Sequence, residues 1–223
     1  MDYQQQFLEI NFPAPLRVLD KNMTAYIPVS LADDNESLKH FDTTSSKAWV
    51  SYMSSYLKGK KGEVAYGGYL EKRNLYQRSP HFNATTVRNI HLGIDLWCEA
   101  GTQVLAVLDG EVHSFQDNNG YGDYGPTIIL KHHIEGIVFY SLYGHLSVES
   151  LERLEPGQPV KQGAAIATLG APEVNGDYAP HLHFQLILDM QGNYGDYPGV
   201  CSEKDLDYYR KNCPDPNLLL GLE

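Results

Sequence analysis

In Ala179-Pro180-His181-Leu182-His183-Phe184-Gln185-Leu186-Ile187-Leu188, two histidines alternate with apolar residues, the period of an extended strand. On such a strand His181, His183 and Gln185 project from one face, while Leu182, Phe184 and Leu186 project into the core. Both imidazoles then face one cleft, with Cα atoms roughly 7 Å apart at strand rise. That separation lets one ring hold a metal ion while the other reaches its water or substrate, and spacing leaves open which ring does which. A chain built around this strand has to be a sheet protein with a polar opening on one side.

The complementary residues lie far upstream. His91-Leu92-Gly93-Ile94-Asp95 stands about ninety residues before the histidine pair, and a lone His145 sits between them in Leu142-Tyr143-Gly144-His145-Leu146-Ser147. Imidazole and carboxylate are the groups that hold zinc while leaving a coordination position for water. Ile90, Leu92, Ile94 and Leu96 share one parity, and His91, Gly93 and Asp95 share the other. A straight strand would separate His91 from Asp95 by about 13 Å, too far for bonds near 2 Å to one ion. The backbone is therefore expected to bend at Gly93, where glycine tolerates bulge and turn dihedrals.

Helical periodicity is clear in one place: Ala48, Trp49, Tyr52, Met53, Tyr56 and Leu57 predict a helix near 46–58, with Ser45 or Ser46 as N-cap and Gly59 past its end. From about 64 to 190 the texture changes to short apolar stretches punctuated by glycine, proline and asparagine, as in Val104–Val112 and Thr127–Leu130. Glu135-Gly136 reads as a hairpin turn between 127–133 and 137–143, with further turns at Pro156-Gly157-Gln158 and Lys161-Gln162-Gly163. A weaker helical segment near Glu203–Lys211 precedes Pro214-Asp215-Pro216. These signals divide the chain into an N-terminal extension with one helix (1–62), a β domain (63–200) and a C-terminal helix and tail packed on it (201–223). The expected fold is mainly β, with mostly antiparallel, local strand pairing.

With 42% hydrophobic residues in 223, the chain can bury a sizeable core. Its 17 basic and 28 acidic residues leave a net charge of −11, which opposes phosphate backbones and anionic membranes, so neither nucleic acid nor membrane is an expected partner. No apolar run approaches the roughly 20 residues needed to cross a bilayer, and Met1-Asp2-Tyr3-Gln4-Gln5-Gln6 lacks a basic or apolar leader region. The expected location is cytoplasmic. Cys98, Cys201 and Cys213 contain no CxxC pair and suit reduced thiols; Cys98, three residues after Asp95, reads as a small buried hydrophobe.

The order HxxxD, then histidine in a Tyr-x-His-Leu-Ser context, then HxH resembles the lysostaphin-like (LytM-type) zinc metallopeptidases, which cleave peptide cross-links of bacterial cell walls. The similarity covers about residues 88–190, including Gly110, Gly120-Tyr121-Gly122 and the turns from Pro156-Gly157 to Gly163. It implies a two-sheet antiparallel sandwich or barrel of the duplicated hybrid motif type. It also implies one Zn2+ held by His91, Asp95 and His183, a catalytic pair His145 and His181, and a peptide substrate. His145 then reads as the base and His181 as the stabiliser of the oxyanion. Gln185 departs from the pattern, standing where relatives often carry glutamate. The oxyanion-assisting tyrosine of such enzymes has Tyr76, Tyr121 and Tyr143 as candidates. The rival reading is a zinc-retaining module that binds a peptide or metabolite, or regulates a partner, without peptidase activity.

A closer resemblance takes in Gly68-Tyr69-Leu70-Glu71-Lys72-Arg73, Asp123-Tyr124-Gly125-Pro126-Thr127, Asn175-Gly176, Asp196-Tyr197-Pro198-Gly199 and Cys213-Pro214-Asp215-Pro216-Asn217. These stretches are similar to the metallopeptidase-like domain that some bacterial proteins join to a class III aminotransferase and a phosphotransferase-like domain, which implies a functional link to an aminotransferase or kinase-like protein. Glu71 and Arg73 share strand parity: they are either an ion pair on a solvated face or groove residues, with Arg73 pairing a substrate carboxylate. Tyr121 is a further substrate-binding candidate. His132 and His133, beside the hairpin turn, read as solvated; His113 reads as a satisfied sheet histidine; His40 and His81 sit in polar segments.

Overall fold

The computed structural model describes residues 2–73 and 87–222. Tyr76 and His81 lie outside the described residues. In chain order the elements are α1 (Tyr3–Leu8), β1 (Tyr26–Pro28), α2 (Ser46–Lys60), β2 (Val64–Gly67), β3 (Arg88–His91), β4 (Ile94–Trp97), β5 (Gln103–Leu105) and β6 (Gly110–Asn118). They continue with β7 (Gly125–Ile134), β8 (Ile137–Gly144), β9 (Pro159–Val160), β10 (Ala165–Thr168), β11 (His181–Ile187), β12 (Val200–Ser202), α3 (Leu206–Asn212) and α4 (Asn217–Leu220). The fold is mainly β.

An eight-stranded sheet runs in the order β1-β2-β4-β11-β8-β7-β6-β9, and β10-β5 and β12-β3 form two-stranded ribbons. Strand pairing is antiparallel except at one edge, where β1 runs parallel to β2. The described sheets are thus mixed and not closed into a barrel. The parallel edge strand comes from the N-terminal extension, so that extension is woven into the sheet rather than appended to it. At the hairpin, Glu135 and Gly136 both take positive φ, 51° and 83°, the two-residue turn whose twist matches the flanking strands.

Helix α2 begins with the Ser45 side chain accepting from the Ala48 N–H, and it runs two residues beyond the expected end, with Gly59 inside it. The stop is set by Lys61 in the left-handed region (φ 56°), where the Gly62 N–H closes back on the Leu57 carbonyl at 2.9 Å. The short α1 carries too few residues to register as a period, yet its Phe7 is fully buried, with its ring 5.0 Å from that of Phe139.

Alternation along β4, β7, β8 and β11 sends Ile94, Leu96, Ile128, Leu130, Tyr143, Leu182, Phe184 and Leu186 into the main core. Each such side chain contributes about 1.5–3 kcal/mol when fully buried. Cys98 belongs to this core, and burial pushes its thiol up to about 11. A second cluster on the other side contains Ile90, Leu92, Ile129, Leu142 and Ile187. Leu31, Trp49 and Met53 of the extension pack against Ala65, Trp97 and Ala179 in a third.

Two expectations about polar residues need correction. His132 is fully buried rather than solvated, because its Nδ1 meets the Asp109 carbonyl at 2.9 Å and its Nε2 meets Ser141 Oγ at 2.7 Å. Tyr143 is equally buried in the core, and its hydroxyl accepts from the Val107 N–H at 3.0 Å, so it does not reach the histidine cleft.

Candidate metal centre and its cleft

Three adjacent strands assemble most of the site. Antiparallel register sets His183 of β11 opposite Asp95 of β4 on one side and opposite Gly144 of β8 on the other, which brings His145, the next residue, to the same end of the sheet. His181 lies two residues back along β11, opposite Trp97, and stacks on its indole with centroids 5.6 Å apart. His91 arrives from the ribbon β3–β12. Regular strand breaks at Leu92-Gly93 between β3 and β4, as the parity of HxxxD requires. The reason for glycine there is close approach and not an unusual dihedral: an added Cβ would lie 2.6 Å from the Phe184 carbonyl oxygen and 2.8 Å from His183 Nε2.

The break turns His91 and Asp95 onto one point. His91 Nε2 lies 2.9 Å from His183 Nδ1, and Asp95 Oδ1 lies 3.2 Å from each of these nitrogens. The three residues are buried and form a cluster of metal-ligating type, all donor atoms within 4.8 Å of one another.

Outer contacts decide which atoms face inward. His91 Nδ1–H donates to the Gly68 carbonyl at 2.9 Å, and His183 Nε2–H donates to Gln185 Oε1 at 2.9 Å. The Gln185 amide cannot turn round without loss, since its Nε2 donates to the Pro198 carbonyl at 3.1 Å and to Cys213 Sγ at 3.4 Å. Each ring so satisfied presents a lone pair to the other, with a carboxylate oxygen as third neighbour, and buried lone pairs facing one another call for a cation. Tetrahedral bonds near 2 Å set donor atoms about 3.3 Å apart, close to the separations here. The donor set therefore fits zinc.

Burial and then the neighbouring Arg73 charge lower the pKa of His91 to about 3, keeping it neutral as a ligand must be. Burial works against ionisation of Asp95, but the Arg73 guanidinium in contact with it outweighs that cost and holds the carboxyl well below its usual range. Arg73 Nη1 donates to Asp95 Oδ2 at 2.5 Å.

Beside this cluster, His145 and His181 stand with ring centroids 4.1 Å apart. His145 Nδ1–H donates to the Asn175 carbonyl at 2.8 Å and His181 Nδ1–H to the Ala179 carbonyl at 2.7 Å, so in both rings Nε2 carries the lone pair. His181 Nε2 is 3.8 Å from Asp95 Oδ1. Burial lowers both pKa values, and the adjacent His181 lowers that of His145 further. His145 takes φ 63°, a left-handed conformation costing about 1–3 kcal/mol in a non-glycine residue. Its N–H donates to the Tyr124 carbonyl and its own carbonyl accepts from Gly170.

These groups open on a cleft of roughly 370 Å³. Leu31, Trp49, Trp97 and Ala179 give it an apolar side, and Arg88, Asp123 and Asp196 bring charge to the rest of its lining. The sequence singled out neither Tyr124 nor Tyr178 for the site. Tyr124 places its hydroxyl 3.3 Å from His183 Nε2, and the Tyr178 ring packs edge-on against His145 while its hydroxyl donates to the Gly122 carbonyl. Tyr124 stands in a stretch that carries the closer resemblance and Tyr178 in one without a local chemical signature, and strand spacing assigns neither of them a place at the cleft. Of the substrate-binding candidates, Tyr121 is exposed, Glu71 is partly buried and Arg73 is only 1% exposed. Arg73 lines the cleft with its guanidinium engaged by Glu71 and Asp95.

Residues 89–195 match the family model of Peptidase family M23, which supports the lysostaphin/LytM-type resemblance carried by the motifs. All five residues of the HxxxD, His145 and HxH set fall inside that stretch. An uncharacterized metalloprotease of Haemophilus influenzae is 33% identical over 99 residues, 44% of this chain, and the matched part spans only 19% of that relative's length. Among solved structures, the catalytic domain of the antimicrobial peptidase lysostaphin from Staphylococcus simulans superposes with a TM-score of 0.44 at 21% identity, covering 70% of this chain and 96% of that one. A zinc-containing peptidase from Vibrio cholerae gives a TM-score of 0.37 at 26% identity, covering 54% and 33%.

Proposed function

We propose that this chain is a zinc-dependent endopeptidase acting on short peptides, peptidoglycan-derived peptides among them. The observation that carries the reading is convergence: three neutral or anionic donors face one point, and two further neutral histidines present Nε2 lone pairs beside it. A buried cluster kept for stability alone would pair each of these atoms with a hydrogen.

His91 Nε2, Asp95 Oδ1 and His183 Nδ1 would hold the ion. Zinc held there supplies Lewis acidity, polarising a carbonyl oxygen and making water more acidic. His145, neutral at physiological pH, takes a proton from the attacking water at Nε2 and returns it to the leaving amine. The Asn175 carbonyl keeps its Nδ1–H occupied, so the tautomer suited to proton uptake is the one present. Once its Nε2 takes a proton from solvent, His181, beside it, donates that Nε2–H to the negative charge that develops on the carbonyl oxygen. The Trp97 indole, stacked on the His181 ring, holds that ring in orientation.

Zinc content and peptide turnover test this together. Wild-type protein is expected to purify with one zinc and to cleave members of a panel of muropeptide stems and glycine-rich peptides. His145→Ala is expected to keep the zinc and lose about 10²–10⁴-fold in turnover. A zinc-loaded wild type that cleaves nothing across the panel would sink the peptidase reading in favour of a binding module, and loss of zinc in His145→Ala would overturn the ligand assignment.

A further inference from the structure

We propose that Glu71 and Arg73 are positioning residues that hold Asp95 to a single coordinating oxygen, with the N-terminal extension completing the arrangement. The inference rests on the reading of the site as a zinc centre given above.

Among the described residues Arg73 is the largest fully buried side chain that carries a charge, and its partners define its task. Its Nη1 takes Asp95 Oδ2 and its Nε takes Glu71 Oε2 at 2.7 Å, while its guanidinium carbon lies 5.7 Å over the Trp97 ring. Glu71 Oε1 in turn accepts from the Leu31 N–H at 2.9 Å and from Ser30 Oγ at 3.0 Å. A continuous line of contacts thus runs from the extension through Glu71 and Arg73 to Asp95.

With Oδ2 committed to Arg73, only Oδ1 faces His91 and His183. A carboxylate so held binds through one oxygen, which keeps the remaining coordination positions for water and a substrate carbonyl. The planar guanidinium fork is suited to bridging two carboxylates, which a lysine ammonium cannot do in the same geometry. Gly68 serves both halves of the centre: a Cβ there would lie 1.8 Å from Arg73 Nη2, and its carbonyl orients His91. Glu71 and Arg73 fall outside the stretch that matches the family model, so this support comes from a separate part of the chain.

The test uses full-length wild type, Arg73→Met, Arg73→Lys and Glu71→Gln. Zinc affinity is read by competition with a chromogenic chelator, coordination by the visible spectrum of the cobalt(II)-loaded protein, and folding by circular dichroism of the metal-free form. Arg73→Met is expected to weaken zinc binding about 10–100-fold and to shift the cobalt spectrum toward the weaker absorption of higher coordination, as Oδ2 joins the ion. Arg73→Lys should recover part of the affinity. Glu71→Gln removes charge but almost no bulk and should move both readouts in the same direction; it decides the matter should Arg73→Met fail to fold. Wild-type affinity and an unchanged cobalt spectrum in the folded variants would overturn the proposal. Absence of zinc binding by the wild type would instead overturn the metal-centre reading on which it rests.

Discussion

Gln185 Oε1 accepts the Nε2–H of His183 at 2.9 Å, and this one contact decides that Nδ1 of His183 faces His91 and Asp95. An amide does here what a carboxylate does in many metal sites, orienting the ring without adding a negative charge to a buried cluster. Gln185→Leu removes the acceptor and leaves the tautomer of His183 unspecified. Zinc affinity, measured by chelator competition, should fall about 10–100-fold. Unchanged affinity would mean that the Tyr124 hydroxyl, 3.3 Å from the same nitrogen, suffices as partner.

Glycine substitutions separate close approach from simple flexibility. At Gly93 a Cβ meets backbone of β11 and the His183 ring, so Gly93→Ala should cost about 1–3 kcal/mol and reduce bound zinc. Gly59 sits within α2 with nothing inside 4 Å, and Gly59→Ala should stabilise by about 0.5–1 kcal/mol. Urea unfolding of both variants checks the pair, and a destabilised Gly59→Ala would contradict the helix geometry.

Burial keeps His91, His132, His145 and His181 neutral, each with a lowered pKa. In the unfolded chain the same rings bind protons below about pH 6.5, so the unfolded state carries the greater number of protons there. Stability of the metal-free protein is therefore full above pH 6.5 and falls as pH drops toward 5, by up to about 1.4 kcal/mol per pH unit for each histidine. A series of melting curves in chelator should show Tm falling steadily across that window. A Tm constant from pH 7 to 5 would show that the rings are solvated or already protonated in the native state.

Zinc that binds only the folded state adds stability by mass action. At about a thousandfold excess over Kd the gain is about 4 kcal/mol, which for a chain of this size raises Tm by on the order of 10 °C. Melting with and without zinc checks this at pH 7.5, and His91→Ala should abolish the difference. A shift of equal size in His91→Ala would place the ion elsewhere.

Local periodicity made much of this protein legible. The alternation through His181–Leu188, the turn at Glu135-Gly136, the helix capped by Ser45 and the break at Gly93 all follow from spacing and appear where the spacing put them. His132 and Tyr143 depart from expectation for one shared reason: their partners, Ser141 and Asp109 for the first and Val107 for the second, come from other strands or loops, and no local pattern reports cross-strand neighbours.

The sequence by itself marked His91, Asp95, His145, His181 and His183 as candidate groups by residue type, and required a bent backbone for HxxxD to work, because strand rise and side-chain parity are properties of consecutive residues. Tertiary structure decided the rest. Which nitrogen of each histidine faces inward depends on the Gly68, Asn175 and Ala179 carbonyls and on Gln185, and Asp95 is left with one inward oxygen because Arg73 takes the other. Those partners arrive from separate segments, and a hydrogen bond between them exists only after the core has brought the segments to within 3 Å of one another.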